Sequence, residues 1–279
     1  MRGTVFYKMS GSGNDFIMLD GRHTTPDAWP GSRIRWICDR RAGVGADGLV
    51  ILTPERPGEV RMTFFNCDGS RAAMCGNAAL CSTRLAAFLE LAPADGMMLL
   101  TDAGTYQTRC VGPESGAEIR LPGVTAPALG PELVLEPGER APRLLTVGVP
   151  HLVVVVEDVE RVDVAGRGRE LRFHPALGAP GANVNFVSRS GNGAGAVWRI
   201  RTYERGVEGE TLACGTGAVA AAVALAREGL AEFPVTFQTR SDKLLAVSAE
   251  LTRTGADQIR LAGEGRLVFR GVLESSGGP

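Results

Sequence analysis

Apolar and polar residues recur along the chain with two periods, which predict many strands and few helices. Alternation between the two residue types predicts strands at 2–9, 15–19, 48–52, 60–66, 97–101, 105–110, 117–121, 132–135, 144–148, 152–157, 184–188, 196–203, 235–238, 244–250, 258–262 and 266–272. Apolar positions that return every three or four residues predict helices at 31–41, 76–91, 162–172 and 215–229. Because the strands outnumber the helices and do not alternate regularly with them, the pattern indicates an α+β fold.

The two halves of the chain carry polar anchors in the same order. Cys75 and Cys214 each stand immediately before a Gly and an Ala-rich helix. Three further pairs precede the cysteines at similar spacing, namely Asn14 and His151, Asp47 and Asn183, and Asn66 and Glu204. Matched polar positions of this kind predict an internal duplication, because simple alternation of strands and helices would not reproduce them.

Composition narrows the function classes. The net charge is −1, 22% of residues are charged and 44% are apolar. Because basic residues do not cluster, we expect no nucleic-acid partner and no contact with a membrane. No apolar stretch approaches the roughly 20 residues of a membrane span. The segment 1–8 has the pattern of a strand and not of a signal peptide, which favours the cytoplasm.

The cysteines and histidines do not form a metal-binding pattern. The chain has 6 cysteines and 3 histidines, with no Cys-x-x-Cys, so we expect no metal site. A chain of this size does not need disulfides for stability. Cysteines that are not at helix starts are expected to be small buried packing residues, namely Cys38, Cys67, Cys81 and Cys110.

Cys75 and Cys214 are the candidate reactive groups. The positive end of a helix dipole favours a thiolate, so we expect each helix start to lower the pKa of its cysteine below the usual value of about 8.5. One thiolate that removes a proton from carbon, and one thiol that returns a proton from the opposite face, would racemise or epimerise a carbon next to a carboxylate. Backbone N–H groups are expected to hold that carboxylate, at Gly76, Asn77, Gly215 and Thr216.

Polar residues at the other anchors complete the candidate site. Glu204 is expected to accept a proton from an ammonium or a thiol, and Arg205 to bind a carboxylate through two hydrogen bonds. His151 is a candidate to orient or deprotonate a cysteine. The amides of Asn14, Asn66 and Asn183 are either turn-forming residues or ligands of a second amino-acid group.

These motifs resemble the diaminopimelate epimerase family through nearly the whole chain. The resemblance rests on Lys8–Phe16, Asp39–Gly48, Phe65–Ser70, Met74–Asn77, Pro150–His151, Asn183–Phe186, Tyr203–Gly206 and Glu210–Gly217. It implies an epimerase that needs no cofactor, interconverts LL- and meso-diaminopimelate for lysine and cell-wall synthesis, and often forms a homodimer. It also implies two pseudo-symmetric lobes, each a curved, mostly antiparallel sheet around a central helix.

The resemblance also implies positions and roles. The N-terminal lobe would span 1–118, with the strand at 263–273 returning to it. The C-terminal lobe would span 119–262, and the active site would lie in the cleft between the lobes. Cys75 and Cys214 would be the base and acid, assisted by His151 and Glu204. The reacting carboxylate would bind Gly76, Asn77, Gly215 and Thr216. The distal end of the substrate would bind Asn14, Asn66, Asn183, Glu204 and Arg205.

Some positions depart from the usual family pattern. Ser10 stands where His or Gln is common, Val149 replaces an Asn, and Gly48 stands where some members carry a Gln. Ala78 and Leu80 replace a Gly and an Arg. These changes affect substrate recognition more than the thiols, so a related racemase for another amino acid, such as histidine or hydroxyproline, is the first alternative. A thiol–disulfide oxidoreductase and a non-catalytic amino-acid binder are alternatives from other classes.

Overall fold

The computed structural model describes residues 3–112, 115–125, 132–191 and 197–274. The strands in chain order, β1 to β18, are Thr4–Gly11, Asn14–Asp20, Gly48–Arg56, Glu59–Asn66, Arg71–Ala72, Met97–Thr101, Gly104–Cys110, Gly116–Arg120, Val124–Thr125, Arg140–Val147, Val149–Val155, Asn183–Ser190, Val197–Glu204, Gly209–Thr211, Val235–Gln238, Leu244–Thr252, Gly255–Glu264 and Arg266–Leu273. The α-helices α1 to α4 are Gly31–Cys38, Gly76–Phe88, Val164–Arg172 and Gly215–Arg227. The chain divides into two compact units, Met1–Arg120 with Ala262–Pro279, and Leu121–Leu261.

The first unit is a mixed sheet with α2 packed against it. Strand β1 pairs antiparallel with β18 and β2, and β2 pairs parallel with β3. Strand β4 pairs antiparallel with β3 and β5 and parallel with β6, after which β7 and β8 continue antiparallel. Helix α2 is almost entirely buried and contacts strands from both ends of this series. A helix that is buried on nearly every side needs small or apolar side chains all round, which explains its Ala-rich sequence.

The second unit repeats this order of pairings. Strand β10 pairs antiparallel with β11, and β11 pairs parallel with β12. Strand β13 pairs antiparallel with β12 and β14 and parallel with β15, and β15 pairs antiparallel with β16. Helix α4 contacts β10, β11, β12 and β16, and its side chains from Gly217 to Leu225 are all buried.

The matched anchors occupy corresponding places in the two units. Asn14 begins β2 and His151 lies near the beginning of β11, while Asn66 ends β4 and Glu204 ends β13. The two cysteines cap α2 and α4, which both have 13 residues. The predicted α+β fold with two duplicated lobes is therefore confirmed.

Several local predictions need correction. Residues 132–135 do not form a strand, and α1 and α2 end three residues earlier than predicted, at Cys38 and Phe88. Cys38 and Cys81 are buried as expected, but Cys67 is exposed because it follows the last residue of β4 in a turn. Across the described part of the chain, no helix combines the length and apolar character needed to span a membrane.

Candidate active site

Both candidate cysteines are the N-cap residues of their helices. Cys75 precedes α2 with φ −144° and ψ 123°, and Cys214 precedes α4 with φ −127° and ψ 108°. These extended conformations are usual for an N-cap residue, and helix geometry leaves the first N–H groups of each helix without an intrahelical acceptor. The structure therefore places each candidate thiol beside backbone donors of the kind that bind carboxylates.

The surroundings of Cys214 differ from the expectation for a helix start. Its Sγ accepts from the Gly217 N–H at 3.4 Å and lies 3.5 Å from the Thr216 Oγ1, and both contacts favour the thiolate. Burial and the negative charge of Glu204 outweigh them and raise the pKa of the Cys214 thiol well above its usual value. The prediction of a lowered pKa is wrong for this residue, because the shift favours its thiol form.

Glu204 ends β13 and is held by a neighbouring hydroxyl. Its Oε1 accepts from the Thr211 Oγ1 at 2.7 Å. Burial raises the pKa of this carboxyl group, and hydrogen bonds from Thr211 and Cys214 oppose that rise. The pair of Glu204 and Cys214 therefore has both members shifted toward their protonated forms, as expected for two acidic groups sharing one buried environment.

His151 is completely buried in β11 and is neutral. Burial, with a smaller contribution from the charge of Arg205, lowers the pKa of His151 to about 3. The ring Nδ1 lies 3.3 Å from the Asn185 Nδ2, and the ring Nε2 is buried with no hydrogen-bond partner among the described residues. Asn183 holds the backbone that follows Glu204, because its Oδ1 accepts from the Arg205 N–H at 2.7 Å.

In the first unit, a chain of hydrogen bonds fixes the candidate amides. Asn14 donates from Nδ2 to Asp47 Oδ2 at 3.0 Å, and its Oδ1 accepts from Asn77 Nδ2 at 2.7 Å. Arg40 donates to Asp47 and Asp15 at 2.9 and 2.7 Å. Since a carboxylate only accepts, Asp47 determines which end of the Asn14 amide faces Asn77. The Oδ1 of Asn77 is left buried with no hydrogen-bond partner within the described residues.

The remaining candidate residues take ordinary local contacts. Asn66 donates from Nδ2 to the Ser70 Oγ at 3.0 Å at the end of β4. Gly76 and Gly215 are the first residues of α2 and α4, and Thr216 follows Gly215. Among the described residues, no three His, Cys, Asp or Glu side chains are grouped closely enough to hold a metal ion.

The sequence matches known proteins over almost its full length. A family model for diaminopimelate epimerase matches residues 6–115 and 143–258. A diaminopimelate epimerase from Gemmatimonas aurantiaca is 45% identical, over 96% of this chain and 98% of the relative, and one from Aquifex aeolicus is 37% identical over 96% and 97%. The chain belongs to the diaminopimelate epimerase family.

A solved structure supports the fold of this epimerase family member. A phenazine biosynthesis protein of the PhzF family from Bacillus anthracis superimposes with a TM-score of 0.74, covering 98% of this chain and all of that chain, at 13% identity. At that identity the likeness concerns the fold alone.

Three residues that shape the candidate site were not expected from the sequence of this epimerase family member. Thr211 positions Glu204, Arg40 holds the two acidic groups beside Asn14, and Asn185 faces His151. Each of the three lies within a motif that carries the family resemblance, which is the signal that could have identified it. Their hydrogen-bond partners lie on other elements, so the local sequence pattern does not reveal these contacts.

Proposed function

We propose that the protein interconverts LL- and meso-diaminopimelate by two-base proton transfer at the α-carbon. The observation that carries the proposal is the pair of cysteines that cap matched, buried 13-residue helices, one in each duplicated unit, in a member of the diaminopimelate epimerase family. A helix cap supplies both the reactive sulfur and the N–H donors that a carboxylate requires. The chemistry requires both sulfurs to act on one substrate carbon.

The proposed step moves one proton off carbon and another onto it. A thiolate takes the α-hydrogen as a proton, the electron pair of the broken C–H bond spreads onto the carboxylate, and the second thiol delivers its proton to the opposite face of the carbon. The raised pKa of Cys214 favours its thiol form, so we assign it the donating role in one direction and Cys75 the accepting role. After each turnover the two sulfurs have exchanged protonation states.

The proposed roles of the surrounding residues rest on their positions and on the family resemblance. The N–H groups of Gly76, Asn77, Gly215 and Thr216 stabilise the charge that develops on the carboxylate. Glu204 and His151 assist the thiols. We assign the distal amino-acid group to Asn14, Asn66, Asn183, Glu204 and Arg205, which together offer amide, carboxylate and guanidinium groups for a second zwitterion.

Hydrogen exchange tests the proposal directly. Purified protein without added cofactor is incubated with LL-diaminopimelate in heavy water, and deuterium at the α-carbon and formation of the meso isomer are followed by NMR. We expect both in the unsubstituted protein and in the Cys67→Ala control, because Cys67 is exposed and outside the proposed chemistry. We expect Cys75→Ala and Cys214→Ala each to abolish isomer formation. Full isomer formation in either variant, or faster exchange with hydroxyproline or histidine, would contradict the proposal.

We also propose that the protein works in the cytoplasm as a homodimer. The proposed chemistry needs free thiols, and the cytoplasm keeps thiols reduced. Val5 and Val272 are directly paired on β1 and β18 and are 45% and 55% exposed, which supports a second copy covering these strands. Sedimentation of the unsubstituted protein and of Val272→Glu tests the dimer, since an unchanged mass for the variant contradicts this surface.

A further inference from the structure

Asn185 is a buried polar residue in the centre of the second unit. It is fully buried in β12, opposite Thr202 on β13, and its neighbours Val184 and Phe186 are also fully buried. A polar side chain in such a place is unfavourable unless its hydrogen bonds are satisfied. The amide of Asn185 meets that requirement through contacts with Leu152, His151 and Thr202.

The contacts of this amide determine which way it faces. The Leu152 carbonyl oxygen lies 3.0 Å from Asn185 Nδ2, and a carbonyl can only accept a hydrogen bond. The atom beside it must therefore be the amide nitrogen. At the other end of the amide, Oδ1 accepts from the Thr202 hydroxyl at 3.0 Å.

The same orientation determines the proton on His151. The Asn185 nitrogen has a second N–H, and it faces the His151 Nδ1 at 3.3 Å. An amide nitrogen does not accept hydrogen bonds, so Nδ1 must be the acceptor and must carry a lone pair. A neutral imidazole with a bare Nδ1 carries its proton on Nε2.

We propose that Asn185 is a positioning residue that holds His151 in the tautomer protonated at Nε2, so that the ring presents a buried N–H donor rather than a base. The Nε2 is buried and has no hydrogen-bond partner within the described residues, so this donor is available to a ligand. The complete burial of the ring and the nearby Arg205 charge keep it neutral, which agrees with this assignment.

The packing around Asn185 keeps the amide in this orientation. A Cβ atom added to Gly217 would come closer than 3.0 Å to the Asn185 Oδ1, so the first turn of α4 lies directly against the amide. Asn185 thus connects three elements, the strands that carry His151 and Thr202 and the helix that begins after Cys214. Its consequence for catalysis rests on the proposed epimerase function, but the tautomer itself does not.

The tautomer can be measured without any assay of activity. The double variant His23→Gln, His174→Gln leaves His151 as the sole histidine of a chain that has 3. In the protein labelled with nitrogen-15 in the imidazole ring, two-bond proton–nitrogen correlation spectra at about pH 7 distinguish a protonated ring nitrogen from a bare one. We expect Nε2 to be protonated and Nδ1 bare. Protonation of Nδ1 in this protein would overturn the proposal.

Variants then test the positioning role. Asn185→Asp replaces the amide donor by a carboxylate, which only accepts hydrogen bonds, so the His151 Nδ1 should carry the proton and Nε2 should be bare. The spectrum of this variant is recorded at about pH 9, because an unperturbed imidazole is neutral there. We expect kcat to fall about 100-fold, the size typical for the loss of one preorganised donor. The matched control Thr202→Val removes only the hydroxyl at Oδ1, so the Nε2 tautomer should persist with activity much closer to that of the unsubstituted protein.

The outcomes separate the two proposals. If Asn185→Asp keeps the Nε2 tautomer, or changes the tautomer without loss of activity, the positioning role is wrong. If Asn185→Asp does not fold, the spectrum of the histidine double variant still decides the tautomer. If the unsubstituted protein shows no exchange on diaminopimelate, the proposed function fails, and the same spectrum decides the tautomer independently.

Discussion

Substitution of Gly217 by Ala should destabilise the protein, because the added Cβ atom would overlap sterically with the Asn185 side chain. Gly217 is the third residue of α4, and its backbone is not in the left-handed region, so Ala introduces no backbone strain. The new Cβ would approach Asn185 Oδ1 closer than 3.0 Å and would lie 3.3 Å from the Cys214 Cβ. The Asn185 amide cannot yield freely, because its two 3.0 Å hydrogen bonds to Leu152 and Thr202 fix it.

The size of the effect follows from these contacts. Inserting one carbon into a packed core typically costs about 1–3 kcal/mol. Displacing the amide weakens two buried hydrogen bonds that contribute about 1 kcal/mol each. The lower entropy of an unfolded chain with Ala in place of Gly offsets about 0.4–1 kcal/mol of this. We therefore expect a net loss of about 3 kcal/mol, which at about 2 °C per kcal/mol for a chain of this length lowers the Tm by about 6 °C.

Thermal unfolding followed by circular dichroism measures this change. The matched control is Gly209→Ala, because a Cβ at Gly209 has nothing within 4 Å and the backbone is again not left-handed. That control should unfold within about 1 °C of the unsubstituted protein, since substitutions in open space usually change stability by less than 0.5 kcal/mol, or about 1 °C. If Gly217→Ala and Gly209→Ala unfold at the same temperature, the first turn of α4 does not pack tightly against the Asn185 amide.

Three further predictions concern charge and hydrogen bonding. Because burial lowers the pKa of His151 to about 3, the unfolded chain binds a proton between about pH 6.5 and 3 that the folded chain does not. The free energy of unfolding, measured by urea denaturation, should therefore fall by about 2 kcal/mol between pH 7 and pH 5 because of this group. The variant His151→Gln should lack this contribution. If the free energy of unfolding of the variant depends on pH as steeply as that of the unsubstituted protein, the prediction is wrong. Thr211→Val removes the 2.7 Å hydrogen bond to Glu204, which should lower the free energy of unfolding by about 1.5 kcal/mol. The loss of this bond should also raise the pKa of Glu204 further and move the acid limb of the pH profile of kcat/KM to higher pH. An acid limb at the same pH in the variant argues against this contact. Burial raises the pKa of Asp15, but Arg40 and Lys8 outweigh it, so the ion pair stabilises the protein above the pKa of the unfolded chain and is lost in acid. Arg40→Met should thus lower the free energy of unfolding by less than about 1 kcal/mol at pH 7, because the Arg40 side chain is 61% exposed, and by almost nothing near pH 2. An equal loss of stability at both pH values excludes the ion pair as its cause.

The elements that carry the cysteines could be predicted because their signals are local. An alternating strand, a Cys-Gly pair and an Ala-rich stretch lie together in the sequence before each helix, and the helices begin where predicted, at Gly76 and Gly215. The short strands β5 and β14 were not predicted. They have only two and three residues, too few for a period, and they form because the ends of β4 and β13 offer backbone partners.

The electrostatic state of the candidate site was not predictable from local signals. A helix start beside Cys214 correctly indicated donors, since the Gly217 N–H reaches its sulfur. The direction of the pKa shift depends on burial and on Glu204, which comes from the end of another strand. Similarly, the strand register brings Asn185 beside Thr202 and His151 close to the start of β12, so the amide that fixes the imidazole could not be recognised from spacing alone.

The duplication gives the two cysteines the same scaffold, and the residues around them make the caps different. A two-base reaction needs one sulfur protonated while the other is not, so two identical sites would have no preferred starting state. At the end of β13, burial and the added charge of Glu204 raise the pKa of the Cys214 thiol, whereas the neutral Asn66 ends β4 at the matching place and donates to Ser70. The exchange of Asn for Glu between the two copies therefore gives the two caps different electrostatic surroundings, a difference that would favour the protonated sulfur at Cys214 in the proposed reaction.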